Sequence, residues 1–347
     1  MAWRKGLLHL RSPLLCTIYN TPRRACSQLV TQDECYQKLE TENKILPSKP
    51  KTNVFALSHP EEIDNVAPEL RPSFNFAAYV NQSHTLQEMV RLGVDLTRWD
   101  KRLKDSSYIL TQDFNEDLKQ HIMFLHDSGV GSDDLGPWLS KNPLIFKEDL
   151  KDLQIRINYL QSKEFDRQQI SRILTKNPQW LLLSTVDIDY RLGYFQRVFQ
   201  LSNHQVRFLA AKQPRLITYD LEIIKKKNFS IREEMGFSPD EMKVLLLSKP
   251  KLWMAHYVSL MRRFDYAHNV MGLSHVQIIE FPKILTSRDF ILKQRHGFLK
   301  LIGRDQYDCS KPNYVSPDTL TGGTDIEFCT NICKTSVQDF NNYIKTL

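Results

Sequence analysis

From about Thr85 onward, apolar residues recur at helical spacing, and the pattern itself repeats. The strings KNPLIF, KNPQWLL, KQPRLIT, SKPKLWM and EFPKILT place Pro143, Pro178, Pro214, Pro250 and Pro282 at intervals of 35, 36, 36 and 32 residues. Bulky pairs follow each proline: Ile145 and Phe146, Trp180 and Leu181, Leu216 and Ile217, Leu252 and Trp253, Ile284 and Leu285. Within one period, Leu150, Leu153, Ile157 and Leu160 form a stripe on a first helix, and a turn over 162–166 leads to a second helix carrying Ile170, Ile173 and Leu174. Pro178 disfavours the α conformation at Asn177 and cannot donate to a continuing helix, so the second helix must stop there. Proline is well suited to start a helix, so 178–182 should form one short apolar turn. One such unit cannot bury its stripe alone, and stacking is required. The predicted fold is all-α, a solenoid of three-helix repeats of about 35 residues.

Charge divides the chain further. Five bases, Arg4, Lys5, Arg11, Arg23 and Arg24, precede the first acid, Asp33, which is the composition of a mitochondrial presequence over 1–32. Residues 33–84 are acidic and interrupted by prolines, and are expected to be a largely disordered linker. The repeat array is expected over 85–305 and a C-terminal helical cap over 306–347. Residues 141–300 hold 27 bases against 16 acids, although the whole chain carries only +7. A basic solenoid between acidic ends suits a polyanionic partner.

A basic residue stands thirteen positions after every closing proline: Arg156, Arg191, Lys227, Arg263 and Arg295. Stacked units would align these five along one edge, where a row of cations can neutralise phosphates without reading sequence. Lys225, Lys226, Arg262 and Lys293 widen the edge, and all nine are candidate nucleic-acid contacts. A second column, Lys141, Lys176 and Lys212, fails at Ser248 and Glu280, and is assigned to a solvated face near helix C-termini. Trp180 and Trp253 belong to the apolar pairs and are expected in the core.

Other chemistry is sparse. No glycine-rich phosphate loop, HExxH or GxSxG string occurs, so no enzyme, cofactor or metal is expected. Cys329 and Cys333 lack partners at zinc-ligand spacing and read as free thiols. His121 and His126 are read as surface or capping side chains. No apolar run is long enough to span a membrane.

The repeat of about 35 residues closed by a proline and an apolar pair, behind a presequence-like terminus, resembles the mitochondrial transcription termination factor (mTERF) family. The strings RLGVDL, FLHDSGV, RLGYFQ, HNVMGL, GRDQYDCSKPNYVS and SVQDFNNYIKTL narrow the resemblance to one branch of it. It implies a superhelical half-ring, monomeric and non-catalytic, in the mitochondrial matrix. The implied function is binding of double-stranded mitochondrial DNA in the promoter region to regulate transcription initiation, together with support of ribosomal RNA and large-subunit assembly proteins. The alternative is a helical-repeat protein-binding scaffold in mitochondrial ribosome assembly, without direct DNA binding. The termini of the array, being acidic, would then recruit basic partners.

Overall fold

The computed structural model describes residues 75–102 and 107–347. The expected presequence and most of the expected linker lie outside the described residues. Among the described residues there is no strand, and the fold is an all-α solenoid.

Each unit is built as its sequence dictates. The unit closed by Pro178 has a first helix Leu150–Ser162, a second helix Arg167–Lys176 and a closing 3-10 turn Pro178–Leu182. The next repeats this as Thr185–Val198, Asn203–Lys212 and Pro214–Ile217. The second helices open on capping boxes, in which Asp166, Ser202, Ser238 and Ser274 pair with Gln169, Gln205, Glu241 and Gln277. They end where the residue before proline swings out of the helical region, with ψ of 70° at Asn142, 81° at Asn177 and 74° at Gln213.

The turn between the two long helices has its own period, absent from the hydrophobic pattern. Gly93, Gly129, Glu164, Gln200, Gly236, Gly272 and Gly303 all have positive φ. A left-handed residue terminates a helix by turning the chain back on its last carbonyls, and glycine does so without strain. Glu164 and Gln200 fill the same role as glutamate and glutamine, which hid the period.

Like packs on like. First helix contacts first helix, second contacts second, and closing turn contacts closing turn in successive units, as Pro143–Lys147 does with Pro178–Leu182 and Pro214–Ile217 with Pro250–Met254. The apolar pairs after the prolines form the spine of the core: Trp180 and Trp253 are 2% and 0% exposed. Indole and amide donors tie the early junctions, Trp138 Nε1 donating to Leu174 O at 2.9 Å and Asn142 Nδ2 to Pro178 O at 2.8 Å.

Both expected boundaries of the array shift. Packing begins before Thr85, with a four-residue helix Phe76–Tyr79 too short to show a period; Phe76 is buried edge-on against Trp99. At the other end the repeat runs past 305. Pro317 stands 35 residues after Pro282 and opens another closing turn, Pro317–Leu320, packed on Pro282–Leu285. In that unit an irregular segment over 304–316 replaces the second helix. A last pair of helical segments, Phe328–Cys333 and Val337–Ile344, ends the chain, and Phe340 closes the core against Phe298 and Phe328.

Candidate nucleic-acid interface

The periodic cations of the first helices do lie in register, but they face the protein. Arg156 donates from Nη1 to Leu181 O and pairs with Glu148 at 2.7 Å. Arg191 Nη1 donates to Ile217 O at 3.2 Å and to Tyr219 O. Arg263 Nη1 donates to Leu285 O at 3.3 Å, and its Nε to Asp289. Arg295 serves Thr319 O, Gly322 O, Gly323 O and the Asp325 carboxylate, with its guanidinium over the Phe328 ring. Leu181, Ile217, Leu285 and Thr319 lie at the ends of the closing turns of the same units, where carbonyls have no helical partner and carry the negative end of the dipole. Each arginine therefore clamps a first helix to the closing turn of its own unit.

Thirty-five residues before Arg156 the same position holds His121, 9% exposed, its Nε2 2.9 Å from Glu148 O. His121 is thus an internal rung and not a surface histidine. The series does not continue at the next position, where thirteen residues after Pro317 stands the exposed Thr330. Lys227 is the irregular rung. It is 4% exposed, donates to no carbonyl, and lies 5.2 Å from the Tyr257 ring.

The expectation that these five line a phosphate-binding edge is corrected accordingly. Lys227 and Arg295 are buried, and the polar atoms of Arg156, Arg191 and Arg263 are engaged within the array. The flanking candidates are at the surface. Lys225 pairs with Glu222 at 2.7 Å, Arg262 pairs with Asp289, Lys293 lies 5.5 Å from the Tyr266 ring, and Lys226 is exposed.

The second helices and closing turns differ. The stretches 167–183, 203–219 and 242–258 contain Arg167, Arg172, Lys176, Arg207, Lys212, Arg215, Lys243, Lys249 and Lys251, and no acid. Some of these are tied: Arg172 Nε donates to Ala211 O at 3.0 Å and Lys212 Nζ to Leu247 O at 2.7 Å. Arg167, Lys176, Arg215 and Lys251 are exposed and, with the half-buried Lys249, make no hydrogen bond or ion pair. Burial, and then the like charges of Lys251 and Lys283, push the Lys249 ammonium below its usual pKa; burial and Lys249 do the same to Lys212. A cluster of cations that repel one another costs folding energy that a polyanion relieves. Between the second helices runs a cleft of about 1120 Å³ whose wall includes Arg167, Arg172, Lys176 and Lys212, with Phe208 among them.

The sequence assigns part of this column to a solvated face because it fails at Ser248 and Glu280, and at Glu280 the failure stands. The missing signal was the absence of acids: the column moves by one residue to Lys249, and Arg215 and Lys251 extend it from the closing turns. Among the described residues no cluster of histidine, cysteine and carboxylate side chains could hold a metal, and no helix is long and apolar enough to cross a membrane.

A clamped three-helix repeat with one acid-free cationic face defines the class. The mTERF family model matches residues 74–312, and the chain belongs to that family. It is 48% identical over 275 residues, 79% of this chain and 78% of the other, to Transcription termination factor 3, mitochondrial, of Drosophila melanogaster. Proteins of the same name are 40% identical in Mus musculus, over 86% of this chain and 73% of theirs, and 38% identical in Rattus norvegicus, over 94% and 83%.

Proposed function

We propose that this protein is a mitochondrial nucleic-acid-binding regulator of gene expression, which holds the phosphate backbone on the face formed by its second helices and closing turns. One observation carries the reading: among the described residues five cations whose side chains have no protein partner stand on stretches that contain no acid, while the periodic arginines of the first helices are engaged within the array. The relatives' names support mitochondria and transcription as the setting. The finer reading is binding of promoter-region mitochondrial DNA to regulate transcription initiation from the matrix. Lys225, Lys226, Arg262 and Lys293 contribute only from the opposite, first-helix side. Phosphate contacts of this kind serve duplex DNA and structured RNA alike, so ribosomal RNA of the large subunit is the competing target. Crosslinking the protein inside intact mitochondria and sequencing what it holds separates the two. Reads concentrated at the promoter region support the DNA reading, reads concentrated in ribosomal RNA replace it with the RNA one, and recovery of protein alone favours a scaffold.

A further inference from the structure

Lys227 interrupts the clamp series, and the interruption coincides with a cavity. Every other rung, from His121 to Arg295, reaches a carbonyl in or just beyond its own unit's closing turn. Lys227 has three ammonium donors and no acceptor, although it is 96% buried, being 4% exposed. The nearest carboxylate, Glu234, accepts instead from Tyr257 Oη at 2.6 Å. With its stem covered and no protein acceptor, the ammonium turns its donors to the adjoining opening, and burial, opposed by the Glu234 carboxylate, pushes its pKa down. Beside it, between the first helix Leu221–Phe229 and the start of Tyr257–Asp265, opens a cleft of about 660 Å³. Tyr219, Ile223, Phe229, Met254 and Tyr257 supply its apolar walls, and Lys226 adds a second cation. Phe229 is 62% exposed at its rim.

A cavity of this volume suits a small molecule, and apolar walls with few polar groups suit one that is flat and mostly apolar. The charge inside is positive, because Lys226 and Lys227 stand against the single carboxylate of Glu234. We propose that the cleft binds a small organic anion, a carboxylate or phosphate monoester on a flat apolar body, whose anionic group receives the Lys227 ammonium. The ligand takes the place of the missing clamp by joining the first helix Leu221–Phe229 to the end of the closing turn Pro250–Met254, so it stiffens the array at this junction.

The test uses the full-length protein with phenyl phosphate and benzoate, which distinguish the two headgroups, and benzyl alcohol as the neutral analogue. Calorimetric titration should show saturable binding of at least one anion with a Kd of about 1 mM or tighter, and a raised melting temperature. Lys227→Met should weaken that binding at least tenfold and leave the weak binding of benzyl alcohol unchanged. Should Lys227→Met fail to fold, Lys227→Arg gives the same decision, because an arginine here can reach the closing-turn carbonyls as the other rungs do and leave the site. Substitutions on the second-helix face should not alter anion binding, which keeps this proposal separate from the nucleic-acid reading. No saturable binding of either anion, or equal binding by wild type and the soluble Lys227 variant, overturns it.

Discussion

The first helices and the second helices carry cations at the same period, yet the two sets do different work. On the first helices a guanidinium reaches forward to carbonyls that the unit's own closing turn leaves unpaired, as Arg191 does to Ile217 and Arg263 to Leu285. On the second-helix and closing-turn side Arg167, Lys176, Arg215, Lys249 and Lys251 have no such target, and around Lys249 the like charges of Lys251 and Lys283 outweigh Asp318. Periodicity in a solenoid shows that a position faces the same environment in every unit. It does not say whether that environment is solvent or the protein. The count of acids in the surrounding stretch decides it, because a clamp is neutralised locally and a binding face is not.

Breaking this contrast from the first-helix side should affect stability and leave nucleic-acid affinity unchanged. The largest effect is expected for Arg295→Met, which removes a buried guanidinium from three carbonyls and a carboxylate. Urea unfolding should show a loss of about 3 kcal/mol. Gly136→Ala should cost about 2 kcal/mol, since the added methyl runs into the Leu92 carbonyl of the preceding turn. Arg191→Met should cost about 1.5 kcal/mol. Acid titration sharpens the picture at one rung. Burial disfavours the Asp289 carboxylate, but Arg263 and then Arg262 outweigh it, and the carboxyl stays below its usual pKa. Its contribution is therefore complete above the ordinary carboxylate pKa and is lost as pH falls through the depressed value; in Asp289→Asn that part of the pH dependence of unfolding should vanish. The smallest effect belongs to Thr330→Arg, which restores the periodic cation at an exposed position past the last closing turn among the described residues, and stability should stay within about 0.5 kcal/mol.

Most of the fold can be read in the chain because its prolines and apolar pairs act locally. Pro178 stops a helix and starts a turn wherever the unit sits, and Trp180 must be buried whatever it packs against. Two elements were hidden for physical reasons. Glu164 and Gln200 fill a left-handed position usually marked by glycine, so the inter-helix turn showed no residue period. Pro317 closes a unit whose second helix is replaced by an irregular segment, so the flanking periodicity was missing. The cationic ladder was visible, but its direction was not. Whether Arg156 points to water or to Leu181 depends on where the unit's closing turn ends relative to its first helix, and that is set by tertiary packing. The column through Lys176, Lys212 and Lys249 was obscured by a shift of one residue, which a fixed offset rejects and a surface tolerates.

The most direct test is the salt dependence of duplex DNA binding in two variants. If the five free cations Arg167, Lys176, Arg215, Lys249 and Lys251 each neutralise one phosphate, log K of the wild type should fall against log salt with a slope of about −4.5. Converting all five to Gln should bring the slope close to zero with stability intact, while Arg156→Met with Arg191→Met should lower stability and keep the wild-type slope. A slope that survives loss of the five second-helix and closing-turn cations, or collapses with the first-helix pair, would contradict the assignment.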